Sequence, residues 1–566
     1  MKQKWALYCF IIIIVGMFIC TRVEAATAKS SKDAAEHCKL AKEHIVKGEL
    51  DAAIDEYKKA IGLNANLVEA YTGLGYAYIL KNELDMAISK FSKAIEINPK
   101  SSESYNGLGF IYLLKEEIDS AIEKLTKAIE LDPKNGDAHR NLGSAYTIKD
   151  NLEKAVDELK KAIELNPEDA SAHNNLGQLY RLQGMGNMAI LEYKEAIKFK
   201  PNDADTHLNL ANLYLEKKSL DDAIAEFNVV LKINPNLADA YRDLGAAYGT
   251  KGDMDMASAE LKKAIELDPK DAKTHNNMAM LYHLKGLDDD AISEYKIALR
   301  LNHDYAEAHY NLANIYYNKA HESLDEPILK QALNEYKEAV RCKPRYGEAH
   351  NMLCHLYMHE GNMEQSIKEG KEALNINLNS AKFHANLAWA YISDNNYGKA
   401  INALILAASL NPHYHWAHSI RGHAHYFRNE FDKALEAYDV ALSIEPNNPY
   451  DILWKYLSLE KSRGSDEAKK FLDNVGAGFK PAPTTEIWGY DLVHYYTGKL
   501  SQDDLLARAT DPWKKCDAHF YIGSLKLLKG DIPAAKENFL QCIKTNTMCS
   551  SEYVGAKIEL KNLESK

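Results

Sequence analysis

His355 and His359 lie four residues apart, a spacing that sets two imidazoles on one helical face, where they can hold a transition metal. His423 falls at the register of His355 two repeats on. His423 is a conceivable neighbour of the pair; ordinary polar lining of a binding surface is the other reading, and no metal is assigned. Asparagine carries the stronger signal. Asn141, Asn175, Asn209, Asn277, Asn311 and Asn386 recur at one register position, in strings such as AHNNLG and AHYNLA. An amide both donates and accepts, so a row of them can pair with the backbone of an extended peptide. Local hydrogen bonding within the fold is the competing use. A third group is aromatic: Tyr310, Tyr317, Trp389, Trp416 and Tyr426, beside Asn314 and His355. Large amphipathic rings make good anchors for a partner.

Catalytic signatures are missing. There is no phosphate-binding glycine loop, no G-x-S-x-G elbow and no H-E-x-x-H helix. Carboxylates fall on exposed helix positions with lysines three or four away, as in Glu164 and Lys160, and read as an ion-paired solvated face. We therefore expect no enzyme activity and no cofactor. Outside the first 25 residues the cysteines are Cys38, Cys342, Cys354, Cys516, Cys542 and Cys549, without C-x-x-C spacing. Three of them crowd the last 51 residues. A disulfide there and small buried side chains are both compatible with the sequence, which does not assign a pair.

These residues are positioned by an internal repeat. Prolines stand at 99, 133, 167, 201, 235 and 269, each 34 residues after the last. A seven-residue insertion at 321–327 shifts the phase to Pro344, and Leu378, Pro412 and Pro446 then follow at 34 again. Counted back to Ala34, twelve units fill residues 34–448. Position 8 of the unit is small (Gly75, Gly109, Gly143, Gly177, Ala211), position 20 is nearly always alanine, and position 11 is repeatedly tyrosine. Small residues let two antiparallel helices approach, and larger ones fill the space beside them. Each helix is about 14 residues, marginal alone, so its stability must come from stacking on neighbours.

The pattern resembles the tetratricopeptide repeat family over about four fifths of the chain. That resemblance implies an all-α, right-handed superhelix of helix pairs. First helices line a groove through positions 2, 5, 9, 12 and 13, and position 4, histidine in nine units, is a packing position. The asparagine row is similar to the ladder in the repeat region of O-linked N-acetylglucosamine transferases, whose catalytic domain is absent here. The insertion is expected to lengthen the ninth hairpin. Residues 449–515 read as a degenerate helix pair, a linker from Gly476 to Thr485 and a short hairpin. Residues 516–566 read as a terminal repeat and a capping helix over 551–564. Trp454-Lys455-Tyr456-Leu457, Trp488, Tyr496-Thr497-Gly498, Phe520-Tyr521-Ile522-Gly523, Gly530-Asp531 and Tyr553 make this ending similar to periplasmic repeat adaptor lipoproteins of Gram-negative bacteria.

The N-terminus reads as an export leader over residues 1–25: Lys2 and Lys4, an apolar stretch from Trp5 to Ile19, then Val23-Glu24-Ala25. An uncleaved inner-membrane anchor is the alternative. Net charge is −12, and a leader of net +2 leaves −14, which argues against nucleic acid or an anionic membrane as partner. The expectation is an exported, periplasmic scaffold that holds peptide segments or proteins in its groove, with no membrane insertion after cleavage. The alternatives are a structural or glycan-associated protein, or the regulatory subunit of a separate glycosyltransferase.

Overall fold

A computed structural model describes residues 30–323, 326–478, 487–548 and 550–564. The expected leader, most of the expected linker and Cys549 lie outside these residues. The described residues form α-helices joined by short turns, and none of these helices is long and apolar enough to cross a membrane. The chain divides into two compact units at Pro269/Lys270. In both, helices pack on their neighbours in chain order.

Most units of the sequence become a first helix of 13 residues and a second of 14, as in Ser102–Leu114 with Ile118–Leu131 and Ala170–Leu182 with Gly186–Phe199. Side chains at the residue before the first helix accept from its free backbone N–H groups, among them Ser101, Asn135, Asp169, Asp203 and Asp271. The turn inside the pair needs one left-handed residue. Gly184 and Gly252 supply it at φ 73° and 92°, while Asn82, Glu116, Asp150 and Lys218 adopt it near 60°.

One contact sets the helix spacing. Phe91 on the second helix Leu84–Ile97 is fully buried between two first helices. A β-carbon added to Gly75, in the same repeat, would fall 2.8 Å from its ring, and one on Gly107, in the next, 2.4 Å. Tyr57 sits as closely on Gly73, Tyr193 on Gly177 and Tyr438 on Gly422. The histidines at position 4 clamp the corner between repeats. His139, His173, His207 and His350 bring Nδ1 to Glu158, Glu192, Glu226 and Glu369 at 2.6–2.7 Å, and Nε2 to a proline carbonyl at 2.9–3.2 Å.

The insertion lengthens both helices of its hairpin, to 18 residues over Ala306–Ser323 and 17 over Glu326–Cys342. Beyond the repeats, the helix Ser465–Gly478 runs three residues into the segment read as linker. Helices Ile487–Tyr496 and Gln502–Arg508 form the short hairpin. Pro512–Leu528 and Ile532–Lys544 form the terminal pair, followed by the helix Ser551–Glu564.

Gly107→Ala is expected to overpack Phe91 and destabilise by about 1–3 kcal/mol. Amide exchange should rise around residues 84–114 and stay unchanged over 204–267, because coupling passes only between neighbouring repeats. Equal loss of protection at both places would contradict this.

Candidate functional site

The asparagine row lies at the seam between repeats. Asn141 Nδ2 donates to Asn106 Oδ1 of the preceding repeat at 2.9 Å, and Asn209 Nδ2 to Asn174 Oδ1 at 3.0 Å. Asn386 makes the same bond to Asn351 at 2.9 Å, and Asn175 donates to Ser144 Oγ at 3.0 Å. Asn277 Oδ1 accepts from the side chain of Asn276, and Asn311 bonds the Tyr295 hydroxyl. Gly73 and Gly107 occupy this same register where the preceding second helix brings an aromatic ring. In four of the six asparagines a side-chain N–H is thus committed to the preceding repeat, and what remains for a ligand is chiefly acceptor capacity. Asn141→Ala should cost about 0.5–1.5 kcal/mol in denaturant unfolding, because it leaves the buried Asn106 carbonyl unpaired.

The aromatic group divides. Tyr310 is half-buried, with its ring centroid 5.0 Å from that of Tyr346 and 5.7 Å from that of Tyr336, and its hydroxyl bonds Asn314. Asn314 Oδ1 also accepts from Tyr336 at 2.5 Å. Tyr317 Oη lies 3.0 Å from His355 Nε2, which lies 3.2 Å from His359 Nε2. The two histidines therefore converge as their spacing implied, within a chain of polar contacts. The His359 ring meets Trp513 of the closing module edge-on at 5.8 Å. A cleft of about 450 Å³ opens beside them, lined by Glu326 and Leu333 of the lengthened helix, by Leu356 and His359, and by Asn546 and Met548. Trp389 is half-buried, 6.0 Å from His423, whose ring is enclosed by Phe427, Tyr438 and Trp454. Trp416 stays exposed. A second cluster of ligand-type atoms, on His309, Glu338 and Cys342, spans under 4.8 Å. Both His309 nitrogens are already bonded there, and the Arg341 guanidinium lies 3.2 Å from Cys342 Sγ, where it opposes a cation.

Tyr426 requires a correction. Expected as an anchor for a partner, it is only 4% exposed, and its hydroxyl donates to Glu559 of the last helix at 3.3 Å. The closing module folds back on the final repeats through buried carboxylates. Glu552 accepts from Trp454 Nε1 and from the Tyr521 hydroxyl, both at 3.0 Å, and Asp517 from Trp488 Nε1 at 3.0 Å and Tyr450 at 3.1 Å. Burial pushes the Asp517 carboxyl well above the ordinary carboxylate range. Asp451, fully buried, accepts from Ser419 at 2.6 Å and pairs with His415 Nε2 at 2.5 Å. Burial works to lower the His415 pKa, but the bond and charge of Asp451, with Glu445 beyond, more than offset it and hold it above 6.5. A pair of this sign stabilises fully below the unfolded pKa and fades as pH rises through the folded one. The stability difference between the unmodified protein and His415→Gln should therefore be largest below pH 6.5 and shrink as pH rises above it in denaturant midpoints. A difference growing with pH would contradict the assignment.

A set of residues that sequence reasoning missed lies in the first unit. Position 13 of the first helix is an exposed aliphatic in five successive repeats: Val46, Leu80, Leu114, Ile148 and Leu182, between 50% and 87% exposed. At position 2, Glu69, Glu103 and Asp137 stand near enough for Glu103 to feel both neighbours. Burial raises its carboxyl, Lys42 opposes the rise, and Glu69 and Asp137 add to it. The signal that could have found them is the 34-residue period, which sets an aliphatic at the groove register of position 13 five times in succession.

The sequence matches models of two tetratricopeptide repeat families, one over residues 41–81, 75–116, 111–147 and 143–184 and the other over residues 385–451. Residues 168–349 match the C-terminal domain of cilia and flagella-associated protein 70. Among solved structures, Pseudomonas aeruginosa PilF is 21% identical, covering 38% of this chain and 97% of its own, with a TM-score of 0.35. MamA is 29% identical over 31% of this chain and 96% of its own, with a TM-score of 0.28. The Cut9–Hcn1 hetero-tetramer of the APC/C is 15% identical over 77% of this chain and 94% of its counterpart, with a TM-score of 0.40. Superpositions at these scores add no argument of their own. The repeat period, the helix pairs and the two family models agree: the chain belongs to the tetratricopeptide-repeat proteins.

Proposed function

We propose that this protein is an exported scaffold that holds peptide segments or protein partners on the first-helix face of its repeats. The observation that carries this reading is the aliphatic row at Val46, Leu80, Leu114, Ile148 and Leu182. Isolated exposed aliphatics are ordinary on a protein surface, but one repeated at the same register through five stacked repeats forms a continuous apolar edge, and such edges mark interaction surfaces. In the acidic row Glu69 is paired with Lys42 and Asp137 with Arg140, so Glu103 is the carboxylate of the three that would favour a basic residue in the bound segment. The asparagine row contributes the acceptors its seam bonds leave. Tyr310, Asn314, Tyr317, His355 and Trp389 form a second contact region, adjoining the cleft beside His359. Export rests on the leader-like residues 1–25, and with it a periplasmic adaptor role.

The test replaces Leu80, Leu114 and Ile148 together by glutamine, an uncharged polar helix former suited to the last turn of these helices. Each is exposed, so helicity and melting should be unchanged. Burying three aliphatics against a partner is worth about 1.5–3 kcal/mol each when complete, so loss of the row should weaken binding by roughly 100-fold or more. Partners recovered by crosslinking from the envelope fraction would be titrated against both proteins. Unchanged affinity in the triple variant would remove the row from the binding surface. Affinity lost only in Trp389→Ala would move the site to the later repeats.

A further inference from the structure

We infer that Cys516 and Cys542 form a disulfide that pins the closing helix pair of the exported protein; its formation in the cell rests on the export reading above. The two sulfurs sit on facing helices, Pro512–Leu528 and Ile532–Lys544, with Sγ atoms 2.7 Å apart and both residues fully buried. A disulfide bond is about 2.05 Å, so the sulfurs need well under 1 Å of further approach. No other pair is placed this way among the described cysteines: Cys38, Cys342 and Cys354 stand in three different repeats.

Both sulfurs are sealed from solvent once the helix pair has closed, so the bond forms before that. The thiolate of one cysteine attacks one sulfur of an external protein disulfide, that of a thiol–disulfide oxidoreductase, and releases the other sulfur as a thiolate. The second cysteine then gives up its proton and attacks the Sγ of the first, expelling the oxidoreductase's remaining sulfur. The two electrons pass to the oxidoreductase, which leaves as a dithiol carrying the two protons.

The bond would stand beneath the start of the last helix. Ser550 Oγ lies 3.6 Å from Cys516 Sγ and accepts from the backbone N–H of Tyr553 at 2.9 Å. The next residues carry Glu552, which receives Trp454 and Tyr521, and then Glu559, which receives Tyr426. Fixing Cys516 to Cys542 thus steadies the platform on which the capping helix covers the final repeats.

The full chain would be isolated from the envelope fraction, alkylated under denaturing conditions, digested with trypsin and analysed by mass spectrometry with and without reduction. Cleavage after Lys544 separates Cys542 from Cys549, so the two pairings give different peptides. The expected result is a Cys516–Cys542 linked peptide that disappears on reduction. Cys516→Ser and Cys542→Ser should lower the melting temperature equally, with the double variant no worse than either, and Cys549→Ser should keep the link. In a separate arm, purified reduced protein is refolded with glutathione disulfide. A link to Cys549, or no link after that refolding, overturns the pairing. A Cys516–Cys542 link in refolded protein with free thiols in protein from cells upholds the pairing and overturns the export reading instead.

Discussion

The repeats of this fold depend on one close approach, a large side chain of one helix set against a small residue of its partner. The large one lies on the second helix in most repeats, and Gly370 reverses the order. Phe91 between Gly75 and Gly107 shows it most plainly, since no β-carbon fits at either glycine while the ring keeps its place. Because the ring touches the first helix of its own repeat and that of the next, the same contact that closes a hairpin also stacks it. Stability is therefore local and additive, and a run of marginal helices becomes a stable array. The histidine at position 4 adds direction to this packing. By bridging a glutamate on the second helix and the proline carbonyl of the preceding corner, it fixes how each repeat meets the last.

The array ends differently in its second unit. A solenoid must cover its last apolar face, and here the terminal pair and the final helix do so by folding back rather than by extending the stack. The cost is several carboxylates taken out of water, and each is answered by donors: Trp454 and Tyr521 at Glu552, Trp488 and Tyr450 at Asp517, Ser419 and His415 at Asp451. This arrangement places Tyr426 and His423 under the chain's own cover. Part of the surface that register alone would assign to a partner is thus already occupied, and the open apolar edge lies in the first unit.

A single register position can serve two masters, and the asparagines show why period alone does not separate them. Position 6 faces the preceding second helix as well as the side of the first-helix face. Where Tyr57 or Phe91 arrives from that helix, glycine stands at position 6 and makes room for the ring. Opposite Leu125 an amide fills the gap and bonds backward, as Asn141 does to Asn106, and opposite Tyr295 Asn311 bonds the hydroxyl instead. The aliphatics at position 13 are the reverse case, residues that look like core in the sequence and remain uncovered in the fold.

The sequence by itself determined the repeat, the helix pairs and the lengthened hairpin at the insertion. These follow from short-range rules, in which proline, glycine, capping side chains and a 34-residue apolar period act within one or two helices of themselves. The convergence of His355 and His359 was legible for the same reason, being a matter of one helical turn. Only the tertiary structure decided which residues of the repeated face remain open, because exposure depends on what arrives from far along the chain. Glu559 reaches Tyr426 across 133 residues, and Glu552 reaches Trp454 across 98. The meeting of Cys516 with Cys542 belongs with them, since no spacing rule brings two sulfurs on separate helices face to face; the packing of the closing pair does.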